Sequence, residues 1–171
     1  WNQSVYGVSL NALESKAQQQ LFAQPIVGYF SPEILLTASG KAATHIIDFS
    51  TTTAKGLEVC EYPFEWVIDR TELMHGYACW FDVKFFGSSS MVCLTTSPRS
   101  EGTHWYQSRC LFTEPVAVNK GQLIKGTLSM IANEHSSFQV VLKCEIDGCN
   151  ISATNVIELH DQHYEYLQQE Y

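Results

Sequence analysis

From Thr44 to Leu159 the chain alternates between apolar and polar residues with a period of two, and no helical segment interrupts this pattern. Alternation of this kind is typical of strands that bury one face. Clusters of Gly, Pro, Ser and Asn divide the region into eight candidate strands. These are Thr44–Ser50, Leu57–Ile68, Met74–Phe86, Met91–Thr96, Tyr106–Phe112, Leu123–Asn133, Phe138–Ile146 and Ile151–Leu159. Successive strands without helical crossovers pair antiparallel, so the sequence predicts a mainly β fold, an antiparallel, sandwich-like β-barrel.

Two of these candidate strands also allow predictions about their place in the sheet and about the face that they bury. Pro63 lies inside the second one, and because proline cannot donate to a strand ladder, we expect it at a sheet edge or a bulge. In the third one, one face is apolar or aromatic from Tyr77 onward, while Trp80, Asp82 and Lys84 alternate on the other. We expect that face in the core, and it consists of Tyr77, Cys79, Phe81, Val83 and Phe85.

Size, charge and cysteine spacing indicate a single domain that neither spans a membrane nor binds nucleic acid. The chain has 171 residues, of which 45% are hydrophobic, enough for the core of a single domain. Its apolar runs are far shorter than the roughly 18 residues that span a bilayer, so we expect no membrane partner. A net charge of -8 disfavours direct binding of nucleic acid. The six cysteines lie mostly in strand-like stretches without C-x-x-C spacing, and we expect them to be reduced core residues.

The segment before the strands follows a helical pattern instead. Leu10, Leu13 and Leu21 have helical spacing within Ser9–Gln24, and Pro25 ends that helix. A second helical turn is expected at Ser31-Pro32-Glu33, so the sequence predicts a helical hairpin over residues 8–36. Its apolar face, which includes Leu10, Leu13, Leu21 and Phe22, is more than two helices can bury between them. The hairpin either packs on its own domain or forms an arm that reaches another surface, and the residues alone leave both possibilities open.

Motifs that bind nucleotides are missing from the sequence. No two of its ten glycines are two residues apart, so it contains no G-x-G turn, and it has neither a Walker loop nor a nucleophile elbow. We therefore expect no cofactor-binding residue in this chain.

The loop at residues 96–105 is the stretch best suited to present side chains for chemistry. Pro98 and Gly102 interrupt the strands around it, and Thr103, His104 and Trp105 follow directly. Histidine can transfer a proton near neutral pH, and the face of a tryptophan can hold a guanidinium. The alternative is structural, because a tryptophan at the start of a strand often belongs to the core and a loop histidine is often only solvated.

The C-terminal segment carries aromatic residues and two histidines. Tyr164 and Tyr166 share one face if the segment is extended, where they either line a groove or cap the end of the barrel. His160 and His163 would lie on opposite faces, so their spacing does not predict a metal site.

One motif resembles a known family. The run Thr103–Phe112, THWYQSRCLF, is similar to the Thr-His-Trp loop and following strand of protein arginine methyltransferases, most closely of the coactivator-associated type I branch. Five further stretches occur in the order found in that family and cover nearly the whole chain: Tyr6–Leu10, Gln24–Val27, His75–Val83, Leu94–Pro98 and Ile131–Asn133.

This resemblance implies a domain organisation. In the family, a Rossmann-like half binds S-adenosylmethionine, and a β-barrel half with a helical dimerisation arm completes the active site. The resemblance therefore implies that residues 1–171 form the barrel domain, with the arm at residues 8–36, and that the cofactor-binding domain lies outside this chain. It further implies a homodimer of the full enzyme, and a segment that is inactive alone.

The resemblance also implies roles for individual residues. His104 would orient the reacting arginine or relay its proton, Trp105 would line the arginine channel, and Thr103 would brace the loop. Tyr164 and Tyr166 would contact substrate peptides. The implied substrates are arginine-containing proteins such as histones and RNA-binding proteins, with a role in transcriptional coactivation in the nucleus and cytoplasm. The alternative is a non-catalytic β-barrel module that binds arginine- or proline-containing peptides.

Overall fold

A computed structural model describes residues 4–37 and 42–165. The N-terminal part contains the short strands β1 (Ser4–Val5) and β2 (Val8–Ser9), a 3-10 turn (Asn11–Leu13), helix α1 (Glu14–Phe22), strand β3 (Ile26–Gly28) and a second 3-10 turn (Pro32–Ile34). A third 3-10 turn (Lys55–Leu57) precedes the main strands. These strands are β4 (Val59–Val67), β5 (Glu72–Cys79), β6 (Asp82–Phe86), β7 (Met91–Thr95), β8 (Gln107–Val118), β9 (Leu123–Ala132), β10 (Phe138–Ile146), β11 (Ser152–Glu158) and β12 (His163–Tyr164).

Two four-stranded sheets organise the strands. One has the order β11-β10-β9-β4 and is antiparallel throughout, and the other has the order β12-β3-β8-β5, in which only β12 and β3 run parallel. The predicted mainly β, antiparallel fold is therefore confirmed. The predicted sandwich-like barrel is not closed within the residues that the structure describes. The consecutive strands β4 and β5 pair with β9 and β8 instead of with each other, and the hairpin β6–β7 pairs only with itself, so the ladder does not close.

The core lies between the two sheets. The inward-facing side chains of Ile124, Leu142 and Ile157 in the first sheet have no exposed surface. Tyr77 of the second sheet reaches across, with its ring 4.9 Å from the ring of Phe64. Its hydroxyl donates a hydrogen bond of 2.9 Å to the carbonyl oxygen of Lys143, so this tyrosine joins the sheets by packing and by a polar contact.

Most predicted strands lie where the alternation places them. Residues 138–146 match the predicted bounds, and β4 is an edge strand, as the proline at position 63 predicts. The predicted strand Thr44–Ser50 is wrong, because these residues have no strand partner and are exposed. Asp48 explains the difference: its carboxylate accepts hydrogen bonds from the backbone N–H and the hydroxyl of Ser50 at 2.9 and 2.6 Å. These contacts stabilise a local turn in place of a ladder.

The predicted third strand, Met74–Phe86, is also wrong in part, because it is two strands, β5 and β6. Thr96 separates them: its hydroxyl accepts a hydrogen bond of 3.0 Å from the N–H of Phe81 and donates one of 2.9 Å to the carbonyl of the same residue. The alternation therefore does not continue across this position. Tyr77 is in the core as predicted, whereas Phe81 and Phe85 are exposed by 46% and 57%.

The predicted helical hairpin is a single helix. After α1 ends, the chain enters β3, which is held between β8 and β12 by strand pairing, and the second predicted helix is only the one-turn segment Pro32–Ile34. The second limb of the hairpin is thus mainly extended, because distant strands offer it hydrogen-bond partners that the local sequence does not reveal.

The prediction that the cysteines are core residues holds only for some of them. None of the six is in a disulfide; Cys110 and Cys144 are buried, whereas Cys93 and Cys149 are exposed. No helix within the described residues combines the length and hydropathy needed to cross a membrane.

Candidate functional site

A tight turn presents the two aromatic rings of the loop. The backbone N–H of Tyr106 donates to the carbonyl of Thr103 at 3.2 Å, and the N–H of Trp105 donates to the Thr103 hydroxyl at 3.3 Å. Tyr106 follows with a positive φ of 57°, a conformation that side-chain-bearing residues rarely adopt. Thr103 is therefore built into the turn by two hydrogen bonds, as a bracing residue would be.

The turn exposes His104 and Trp105 at the surface of the described chain. The imidazole is exposed, and Trp105 retains 59% of its accessible surface, so this tryptophan is not a core residue. The indole is flanked on one side by Phe81, with the ring centroids 6.3 Å apart at 73°. The imidazole of His104 can transfer a proton, and the flat face of the adjacent Trp105 can hold a cation.

Tyr29, directly after β3, supports the turn from behind, and sequence reasoning missed it. Its hydroxyl donates a hydrogen bond of 2.7 Å to the carbonyl of Thr103, and its ring meets that of Tyr106 edge-on at 4.7 Å. A Cβ atom at Gly102 would lie 2.7 Å from the Tyr29 hydroxyl oxygen, so only glycine leaves room for this contact. The hydrogen bond spans 74 residues, and no local pattern could have revealed it.

A buried amide joins the two ends of the loop. Gln107, only 4% exposed, donates from its side chain to the carbonyl of Thr96 at 2.8 Å. Because Thr96 also holds Phe81, the residues before and after the loop are tied to the same point of the fold. The loop therefore projects from a fixed base.

The C-terminal segment lies beside the strands that support the loop. β12 pairs with β3, and β3 pairs with the first residues of β8, immediately after the turn. Tyr164 is 47% exposed and donates from its hydroxyl to the side chain of Gln162 at 2.6 Å, while Tyr166 lies outside the described residues. Glu165 forms an ion pair with Arg109 of β8, which secures the extended segment to the sheet. Tyr164 is thus brought to the sheet that carries the loop.

The predicted arm residues fall into two groups. Leu13 and Leu21 are each 51% exposed, whereas Leu10 and Phe22 are partly buried. No residue of α1 is buried. A helix that leaves its leucines in solvent gains little from its own domain, which favours an arm over a helix packed on its own core.

The described part of the chain has a surface groove but no cluster of metal ligands. The residues described contain no cluster of three or more His, Cys, Asp or Glu side chains that could hold a metal ion. A surface groove crosses β4, β9 and β10 near Gly126, but none of its lining residues belongs to the loop.

Comparisons with known proteins place this geometry in a family. Residues 1–147 match the family described as "Arginine methyltransferase oligomerization subdomain". Over 167 residues the chain is 38% identical to the Histone-arginine methyltransferase CARMER of Drosophila virilis, covering 97% of this chain and 30% of the relative. The CARMER protein of Drosophila persimilis is 37% identical over 167 residues, covering 97% of this chain and 31% of the relative.

Solved structures share the fold. The Trypanosoma brucei PRMT1 enzyme-prozyme heterotetrameric complex with AdoHcy matches with a TM-score of 0.73 and 19% identity, covering 93% of this chain and 49% of the other. Arabidopsis thaliana Protein Arginine Methyltransferase 10 matches with a TM-score of 0.72 and 21% identity, covering 92% of this chain and 50% of the other.

The chain therefore belongs to the arginine methyltransferase family and corresponds to its oligomerization subdomain. The family resemblance carried by the Thr-His-Trp motif is confirmed, and so is the greater similarity to the coactivator-associated branch. The chain spans 30% of the length of the Drosophila virilis relative and about half of the solved chains.

Proposed function

We propose that this chain is the substrate-binding and dimerisation half of a type I protein arginine methyltransferase. The observation that carries the proposal is the exposed pair His104 and Trp105, held on a turn whose base is fixed by Tyr29 and Gln107. A rigid, exposed imidazole and indole are what one side of an arginine site requires, and the opposite side has to come from another part of the protein.

The reaction explains why these two groups would be needed. S-adenosylmethionine, when bound by the rest of the protein, supplies an electrophilic methyl group on sulfur. A guanidinium is protonated at neutral pH and is a poor nucleophile, so its position and charge distribution must be controlled. A guanidino nitrogen that accepted this methyl group would have to lose a proton, and residues beside the guanidinium would have to hold it in line and take up that proton.

In this scheme each residue of the chain has a limited task. Trp105 lines the arginine channel, where its face stabilises the cation. His104 orients the guanidinium or accepts its departing proton and passes it to a carboxylate outside this chain. Thr103 braces the loop, and Tyr164 and Tyr166 contact the substrate peptide. S-adenosylmethionine is held by the absent cofactor-binding domain.

The exposed Leu13, just before α1, and Leu21 within it support a role for the arm in assembly. We infer a homodimer of the full enzyme in which the exposed face around α1, within the predicted arm at residues 8–36, packs against the partner. The substrates we propose are arginine-containing proteins such as histones and RNA-binding proteins, and the setting is transcriptional coactivation in the nucleus and cytoplasm. The CARMER relatives, which are named as histone-arginine methyltransferases, support the substrate class.

A comparison of two proteins tests this proposal. The full-length protein is expected to bind S-adenosylmethionine and to transfer its methyl group to an arginine-containing histone peptide, whereas the 171-residue chain does neither. Calorimetry measures cofactor binding and mass spectrometry measures the methylated product. Micromolar cofactor binding by the chain alone would contradict the division of labour. A full-length protein that binds the peptide without methylating it would instead favour the non-catalytic binding module.

A further inference from the structure

Tyr29 contacts the loop on both sides of the two exposed rings. Its hydroxyl donates to the carbonyl of Thr103 at 2.7 Å, and its ring packs against Gly102, just before that residue. On the other side its ring meets Tyr106 at 4.7 Å. His104 and Trp105 therefore lie between Thr103 and Tyr106, and the side chain of Tyr29 contacts both of these residues.

The position of Tyr29 is itself fixed. Its neighbours Val27 and Phe30 are 9% and 8% exposed, and Gly28 is paired in register with Gln107. Strand pairing thus sets the backbone of Tyr29 relative to the residue that begins β8. Because its backbone is fixed in this way, the side chain of Tyr29 can restrict the position of the loop that it contacts.

Support from Tyr29 matters for the loop because its two central side chains are exposed. His104 and Trp105 are exposed, and Tyr106 holds an unfavourable positive φ. The ring of Tyr106 lies 6.4 Å from the imidazole of His104, so the ring of Tyr29 supports the imidazole through one intermediate ring.

We propose that Tyr29 is a positioning residue that holds His104 and Trp105 in the geometry required for methyl transfer. It acts through the Thr103 carbonyl and the Tyr106 ring and does not touch the substrate. This inference rests on the proposed function, because it concerns the same loop. It adds a residue that directly follows β3 and is distant in sequence from His104.

The test compares two tyrosine hydroxyls in the full-length protein. Tyr29→Phe removes the donor to Thr103 and keeps the ring. Tyr77→Phe removes a donor to another backbone carbonyl, that of Lys143, in the core between the sheets. For Tyr29→Phe we expect kcat to fall roughly 10- to 100-fold, with an unchanged KM for S-adenosylmethionine and a Tm close to that of the wild type. For Tyr77→Phe we expect a lower Tm and an unchanged kcat.

Two results would overturn the inference when the wild type is active. One is a Tyr29→Phe variant with wild-type kcat, and the other is a loss of kcat that follows the loss of Tm equally in both variants. The same proteins labelled with 5-fluorotryptophan give a second readout, in which Trp105→Phe assigns the Trp105 resonance.

The fluorine spectrum separates failure of this inference from failure of the proposed function. We expect the Trp105 resonance to shift or broaden in Tyr29→Phe and to stay unchanged in Tyr77→Phe. If the wild type transfers no methyl group, the proposed function is wrong, and the spectrum alone decides whether Tyr29 positions the loop. An unchanged Trp105 resonance in Tyr29→Phe contradicts the positioning role in either case.

Discussion

Asn155 donates its side-chain amide to the carbonyl oxygen of Phe22 at 2.7 Å, across 133 residues of sequence. The same amide donates to the carbonyl of Leu111 at 2.6 Å, and the backbone N–H of Glu158 donates to the carbonyl of Ala23 at 2.8 Å. The carbonyls at the end of a helix have no partner within the helix. Strand β11 provides partners here, so the end of α1 is fixed to the domain while the rest of the helix is exposed.

Replacing this amide should destabilise the domain. Asn155→Ala leaves the carbonyls of Phe22 and Leu111 without these donors, and we expect the free energy of unfolding to fall by about 1–3 kcal/mol. Urea unfolding of the chain measures the change. Asn150→Ala, at an exposed turn, is the matched control and should stay within about 0.5 kcal/mol of the wild type. Equal stability of the two variants would show that the amide does not anchor the helix.

The exposed leucines in α1 and in the 3-10 turn before it should control assembly. Changing Leu13 and Leu21 together to Glu should convert the full-length dimer into a monomer, because charge would be placed on the apolar face offered to the partner. Tm of the isolated chain should hardly change, since both side chains are already half exposed. Sedimentation measures the mass, and Gln18→Glu on the same helix is the control. A double variant that remains dimeric at micromolar concentration would place the interface elsewhere.

Buried groups that stay neutral should weaken the fold at alkaline pH. Burial raises the pKa of Tyr77 and the pKa of Cys144 above their ordinary values of 10.0 and 9.0. Between its unfolded and folded pKa such a group binds more protons in the native state, so stability is full below the unfolded pKa and is lost as pH rises. We expect the free energy of unfolding to be steady from pH 7 to about 8.5 and to decline above it, by up to about 1.4 kcal/mol per pH unit for each group.

Urea unfolding at successive pH values provides the measurement. Tyr77→Phe should show a smaller decline above about pH 10, because the tyrosine contribution has been removed. A free energy of unfolding that stays constant to pH 11 in the wild type would contradict the burial of these groups.

The sequence correctly predicted strands in which apolar residues are buried at every second position. In Phe138–Ile146 every second residue from Val140 onward is buried, so the alternation gives the strand bounds without error. In Thr44–Ser50 two isoleucines are adjacent and Asp48 forms a turn with Ser50, so the apolar content did not correspond to a buried face. The apolar pattern does not reveal that hydrogen bonds from a side chain compete with strand pairing at this position.

In the candidate site, too, some residues could be predicted from the sequence and others could not. Thr103, His104 and Trp105 were found because they are contiguous and resemble a family motif. Tyr29, Gln107 and Asn155 were not found, because each acts through a partner that is distant in sequence or depends on strand pairing. The second limb of the arm was misassigned for the same reason: Ile26–Gly28 is a strand only because β8 and β12 lie beside it.

The rate of a single methyl-transfer turnover in full-length His104→Ala tests the account most directly. Because the imidazole is exposed and general acid–base groups contribute about 100-fold or more, we expect the rate to fall by at least that factor while Tm stays close to the wild type. His75→Ala, at an exposed position of β5, is the matched control and should keep the wild-type rate. An unchanged rate accompanied by a large loss of Tm would show that His104 is structural and would contradict the proposed function.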